Sequence, residues 1–379
     1  MSTHEAQAAN NFVQWTAQTS PLSKPWDGVA YGNGVFVAVS NTASGSSAVM
    51  SSTDGVTWTP RVSGNASANF RDVTFGNGTF VAVGSAGKSM SSSDGINWTG
   101  HTMADITKNY YSVTYGGGKF VAVGGPLGAM EYSADGATWT AVSLSGGSNF
   151  RGVAYGNGVF VTVGSAVGTP QAMYSSDGIN WTAAAGIAAN DWYDVAFANG
   201  LFVAVSADGT NRVMTSADGI TWTQRTAATA SQWRTVTYGG GLWVALAGDG
   251  LAVAGGAAMT SPDGINWTAG TPANTSDWRD VVYGNGMFVA VAETGDVMSG
   301  VVVAGANAAP PTIIRQALPM PATGSCVDIA NAAVAYSTGL SGGWQRGWEP
   351  WPNGGAGGWA CLRALVNSTG NWRIDNSVL

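Results

Sequence analysis

Trp26-Asp27-Gly28-Val29-Ala30-Tyr31-Gly32-Asn33-Gly34-Val35-Phe36-Val37-Ala38-Val39 decides the fold, because the chain returns to this pattern again and again. An aromatic residue and a Val lead into an aromatic-Gly-Asn-Gly turn, and an apolar run ending in Val or Leu follows. The turn comes back at Gly76-Asn77-Gly78, Gly116-Gly117-Gly118, Gly156-Asn157-Gly158, Ala198-Asn199-Gly200, Gly239-Gly240-Gly241 and Gly284-Asn285-Gly286. From Gly32 to Gly284 is 252 residues in six steps, a mean period of 42. Repeats of that length, each with several short strands, predict a seven-bladed β-propeller. In such a frame the repeated residues build the scaffold, and function sits in the loops.

Each repeat reads as four strands. In repeat six these are 233–238, 242–246, 257–260 and 265–268. The first two are joined by a hairpin loop that needs positive φ at both central residues, which Asn and Gly tolerate best. The second strands (36–39, 80–83, 120–123, 160–163, 202–205) are apolar on both faces, as expected for strands sandwiched between neighbouring blades. The third and fourth are joined by Ser-x-Asp-Gly-x-x-Trp-Thr, centred on Asp54-Gly55, Asp94-Gly95, Asp135-Gly136, Asp177-Gly178, Asp218-Gly219 and Asp263-Gly264. Its Ser and Asp side chains suit bonding to turn amides, and its Trp suits wedging between blades. Over residues 26–303 the motif resembles the Asp-box, or bacterial neuraminidase repeat, of sialidase-like propellers, with Gly following Asp directly instead of after a spacer.

Seven Gly-rich turns accompany only six complete Ser-Asp-Gly hairpins, since the seventh repeat ends at 296–303 without a Trp-Thr strand. The missing strand is Phe12-Val13-Gln14-Trp15-Thr16: Trp15 precedes Trp26 by 11 residues, as Trp222 precedes Trp233 and Trp267 precedes Trp278. The N-terminal strand is therefore expected to complete blade seven and remove two open edges. The domain reading is a propeller over 1–305, a linker over 306–323 and a small Gly/Trp-rich, mainly β module over 324–379, with a short helical turn near 327–335.

The chain has 379 residues, 55 Gly, 17 Trp, 10% charged residues and a net charge of −7. Acidity, few lysines and the lack of a basic stripe argue against nucleic acid as a partner. No run of about 18 apolar residues suggests membrane insertion. The N-terminal residues lack the layout of a secretory signal. Cys326 and Cys361 either staple the C-terminal module or are two buried thiols.

The aspartates of the Ser-Asp-Gly turns read as turn chemistry, because a residue repeated in blade after blade does not make a single catalytic centre. The position after each leading aromatic varies instead: Asp27, Arg71, Tyr111, Arg151, Tyr193, Arg234 and Arg279. It is expected near the mouth of the central channel, where four guanidiniums could hold an anionic sugar or carboxylate. The competing reading has each Arg stack on an aromatic and pair with Asp72, Asp194 or Asp280. Trp344, Trp348 and Trp351 form an aromatic cluster that reads either as a sugar-stacking platform or as the core of the small module. The rim loops at 41–47, 207–212, 248–256, 63–69 and 102–109 differ in every repeat and are a third binding candidate. Neither His4 nor His101 has a partner for metal or triad chemistry, so no metal and no cofactor is expected.

The repeats are similar to those of bacterial surface proteins and of phage tail-fibre or virion proteins. That resemblance implies a non-enzymatic virion component, a tail fibre, spike or receptor-binding protein, assembled in the host cytoplasm and exposed on the released particle. Its partners would be other virion proteins and a host surface glycan or receptor, and association into a homo-oligomer is left open. The alternatives are an Asp-box glycosidase on acidic glycans, which needs paired carboxylates near the Arg cluster, and a scaffold binding peptides on its rim.

Overall fold

The computed structural model describes residues 11–42, 48–65, 68–125, 128–144, 149–165, 170–248 and 258–304, with the backbone of 345–346, 364–366 and 372–374. The turn residues set the hairpins as their chemistry requires. Asn33 and Gly34 sit at φ of 47° and 79°, and the pair recurs at Asn77 and Gly78, Asn157 and Gly158, Asn199 and Gly200, and Asn285 and Gly286. Positive φ at both positions matches the twist of the flanking strands.

Seven four-stranded antiparallel sheets result. Blade 1 runs Trp26–Gly32, Val35–Ser40, Val49–Ser52 and Thr59–Arg61 from the inside outward. Its first strand packs against the first strand of blade 2, Phe70–Gly76, and the series continues to blade 7, where Trp278–Gly284 packs back on Trp26–Gly32. The ring is closed, and no α-helix occurs among the described residues.

The core lies between blades. Val37, Val39 and Val49 of blade 1 meet Phe70, Val73, Phe80 and Met90 of blade 2, and Val289, Val291 and Val297 of blade 7 meet Trp26, Phe36, Met50 and Trp58 of blade 1. Side chains such as Phe36, Phe80 and Trp278 are wholly buried, each stabilising the ring by about 1.5–3 kcal/mol. The first Gly of the Gly-Asn-Gly motif has a separate task that the turn does not explain. A Cβ on Gly32 would fall 2.1 Å from the ring of Phe75 in the next blade. The absent side chain makes the seat for that ring, and the seat recurs at Gly76, Gly116, Gly156, Gly239 and Gly284, with Ala198 standing at the position in blade 5.

Phe12–Gln18 is the outer strand of blade 7, antiparallel to Val297–Val303 with Trp15 opposite Gly300. Val13 is buried against blade 6, and the Trp15 ring lies 6.1 Å from that of Phe288. One boundary differs from the sequence reading. The fourth strand of blade 6 is Thr268–Gly270, because the Asp263 carboxylate accepts the N–H groups of Ile265 and Asn266 and curls them into the turn.

The chain divides into two units: Asn11–Val303, and Met1–Asn10 with Ala304–Leu379. In the second, Gln345–Arg346, Ala364–Val366 and Trp372–Ile374 form an antiparallel three-stranded sheet in that order. Trp344, Trp348, Trp351, both cysteines and the expected helical turn lie outside the described residues.

Candidate functional site

Every first strand carries a β-bulge at one place. In blade 2, Phe70 pairs with Gly84 and Asp72 with Val83, so Arg71 has no opposite number. The same step skips Asp27, Tyr111, Arg151, Tyr193, Arg234 and Arg279. A bulge breaks the alternation of side chains and re-aims the extra residue. First strands surround the channel, so the bulged residues form a half-buried tier at the end opposite the Gly-Asn-Gly turns.

The arginines of this tier are not equivalent. Arg71 donates to Asp27 at 2.9 Å, and Arg279 pairs with Asp277 at 3.0 Å and with Glu293. Arg151 lies over the Tyr193 ring at 4.4 Å and near Tyr111 at 5.9 Å, while Arg234 lies over Tyr193 at 3.9 Å. Among the described residues no carboxylate is within ion-pair distance of Arg151 or Arg234. Their planar faces are engaged by the phenol; Arg234 Nη2 makes a long hydrogen bond to Gln232 Oε1 at 3.5 Å, and the remaining N–H edges suit an incoming acceptor. The Nε atoms of all four arginines are buried without a hydrogen-bond partner among the described residues. Such orphaned donors call for a water or a ligand.

The next residue of each first strand tells a different story. Asp72 Oδ2 accepts Val113 N–H of blade 3 at 2.8 Å, Asp194 Oδ2 accepts Val236 N–H of blade 6 at 2.8 Å, and Asp280 Oδ2 accepts Val29 N–H of blade 1 at 2.8 Å. The other oxygen of each accepts the following residue's own N–H. The expected pairing of these acids with the arginines is therefore corrected: they latch blade 2 to 3, blade 5 to 6 and blade 7 to 1 through backbone amides. All three are half-buried. Burial, reinforced by repulsion from Asp280, pushes Asp194 up to about 7 and raises Asp72, and burial pushes Asp280 up to about 6.

Blade 3 holds one further acid. Glu131 stands where the other blades place a Met opposite the middle of their second strand (Met50, Met90, Met173, Met214, Met259, Met298). It is fully buried, accepts the Tyr110 hydroxyl at 2.5 Å, and accepts the N–H groups of Ala104 and Asp105. This Tyr–Glu pair has the composition of a sialidase nucleophile but not its situation. Tyr110 is wholly buried, and burial followed by the Glu131 hydrogen bond drives its pKa far up, the reverse of activation. Its work is to fix the rim loop at 102–109. The loop at 207–212 is fixed by Arg212, which donates to Ala207 O at 2.8 Å and Ser231 O at 2.7 Å.

At the opposite end the Ser-Asp-Gly turns are saturated. Ser52 Oγ accepts Gly55 N–H at 2.8 Å, and Asp54 Oδ1 accepts Val56 and Thr57 N–H at 2.9 and 2.7 Å. The Thr57 amide first, then Val56, holds Asp54 down at about 2. These carboxylates are spent on their own turns.

No family model matches the chain, and no curated protein matches it in sequence. Solved structures share the architecture. A virginiamycin B lyase from Staphylococcus aureus is 11% identical with a TM-score of 0.64, covering 78% of this chain and 100% of that one. YCF48 from Cyanidioschyzon merolae is 15% identical with a TM-score of 0.58, covering 76% and 98%. The WD40 propeller domain of Doa1 is 11% identical with a TM-score of 0.56, covering 76% and 97%. At these identities the likeness is one of fold. It also overturns one expectation: the exclusion of enzymatic activity does not stand, because a lyase is built on this same frame.

Proposed function

We propose that the channel mouth is a recognition site for a carboxylate-bearing ligand, centred on Arg151, Tyr193 and Arg234. The observation that carries this reading is that two guanidiniums lie over one phenol, Arg151 at 4.4 Å and Arg234 at 3.9 Å from the Tyr193 ring, with no carboxylate within ion-pair distance of either among the described residues. An acid that reaches the N–H edges of both gains charge-assisted hydrogen bonds from fixed donors at little cost in side-chain entropy. Arg71, Tyr111 and Arg279 border the site. The setting that the repeat resemblance supports is a receptor-binding component of a phage particle, fibre or spike, with an acidic host-surface glycan as the ligand. Binding is the step the geometry supports, and chemistry on the bound ligand is a separate question.

A second reading, an acidic peptide, is favoured by the likeness to YCF48 bound to D1 peptide, 15% identical with a TM-score of 0.58. A glycan array probed beside an acidic-peptide library separates the two. Binding to sialylated or uronic-acid glycans that vanishes in Arg151→Ala/Arg234→Ala supports the first reading. Peptide binding with the same arginine dependence supports the second. Ligand binding that ignores both substitutions contradicts the site itself. A proteome of purified phage particles tests the setting independently.

A further inference from the structure

Blade 7 differs from the other six at its outer edge. Their outer strands are two to four residues long: Thr59–Arg61, Thr99–Thr102, Thr140–Ala141, Thr182–Ala183, Thr223–Arg225 and Thr268–Gly270. Pro60, Arg61, His101 and Arg225 blunt three of them. Phe12–Gln18 runs for seven residues and contains no charge and no proline. Short, charged or proline-bearing edges resist strand addition, and a long neutral one invites it.

The edge also overhangs the blade. Pairing between the second strand and Val297–Val303 ends at Phe288 opposite Gly300, while Val301, Val302 and Val303 continue against Gln14, Val13 and Phe12. Val13 and Val302 face blade 6. The other face of this ribbon carries Phe12, Gln14, Val301 and Val303, with Phe12 44% and Val301 45% exposed.

We propose that Phe12–Gln18 is a dimerisation edge on which a second copy of this chain adds its own Phe12–Gln18, antiparallel. Two features select a second copy. The chain carries a net charge of −7, so copies repel over most of their surface, and this edge is a neutral stretch where they meet without opposing like charges. A two-fold about Trp15 also places Gln14 across from Thr16 and Phe12 across from Gln18, which pairs amide with hydroxyl and is self-complementary. The blade becomes an eight-stranded sheet spanning two rings. A strand of seven residues is about 24 Å long and its pairing falls below the roughly 1,200 Å² of stable interfaces, so the association is weak and concentration-dependent.

Sedimentation velocity of the full-length chain tests this. The expected result is a rise from monomer to dimer between low- and high-micromolar concentration. Gln14→Lys/Thr16→Lys, both exposed positions, abolishes the rise with an unchanged melting temperature, and Thr99→Lys on the blade 2 edge leaves it intact. Hydrogen exchange of the wild type at residues 12–18, slowed on concentration, gives a readout that needs no variant. A monomer at every concentration, or a dimer indifferent to the two lysines, overturns the proposal.

Discussion

The two faces of the ring use the same residue type in opposite ways. At the turn end, six aspartates occupy equivalent positions and each bonds amides of its own turn, as Asp54 and Asp94 do. At the mouth, Asp72, Asp194 and Asp280 each reach into another blade, while the tier beside them changes from Arg to Tyr to Asp around the ring. Periodic residues answer a demand that every blade makes. Residues that break the period answer a demand made only once, which is where recognition can be built.

The largest effect expected from this contrast is on binding. Arg151→Ala/Arg234→Ala should weaken an acidic ligand at least about a hundredfold, since hydrogen bonds to charged groups are worth about 1.5–3 kcal/mol each, while Asp94→Ala should leave the affinity unchanged. Isothermal titration of both variants checks the pair, and equal losses would erase the distinction between the ends.

Next comes closure, on which the mouth depends and the turns do not. Deleting residues 1–20 removes the seam strand with Val13 and Trp15. A drop in melting temperature on the order of 10 °C is expected from the loss of that packing, and an unchanged melt contradicts the account of blade 7.

Single aspartates should then separate by role. Asp194→Ala orphans the Val236 amide of the adjoining blade and should cost about 1–3 kcal/mol. Asp94→Ala disturbs only a local turn and should cost about 1 kcal/mol, as losing a comparable cap does. Chemical denaturation of the two variants measures the difference.

The smallest effect expected is a slope with pH. Because the folded ring holds the protons of Asp194 and Asp280 more tightly than the unfolded chain, the stability linked to them is complete below about pH 4. It is lost as pH rises through about 6 and about 7. The turn acids act in reverse: their contribution is present above about pH 4 and is lost as pH falls towards about 2. Melting temperature should therefore be higher near pH 5 than near pH 8 and fall again in stronger acid. A melt that rises steadily to pH 8 would deny the mouth carboxyls their role.

Much of this architecture was legible in the residues. The period, the Asn-Gly hairpins and the seam strand could be read because turn chemistry is local and because Trp15 keeps the 11-residue spacing of its counterparts. What could not be read depends on partners from another strand or blade. The bulge at Arg71 is a mismatch of register, invisible until Phe70 and Asp72 find Gly84 and Val83. Gly32 reads as part of a turn, yet its missing side chain serves Phe75. Asp72 and Asp280 follow arginines in sequence and Asp194 follows a tyrosine of the same tier, which suggested ion pairs, but all three accept inter-blade amides instead. The mouth residues stood out only as variation inside a constant phrase. Glu131, where the other blades have a Met, is a signal of the same kind, carried by the sequence itself.

The central claim is that the mouth holds a prepared anion site and the turn end does not. A crystal of the full-length chain soaked in bromide, with anomalous diffraction recorded at the bromine edge, tests it directly. The account predicts a bromide within hydrogen-bonding distance of Arg151 and Arg234 beside Tyr193. Anomalous density absent from that position, or confined to the Ser-Asp-Gly turns, would contradict it.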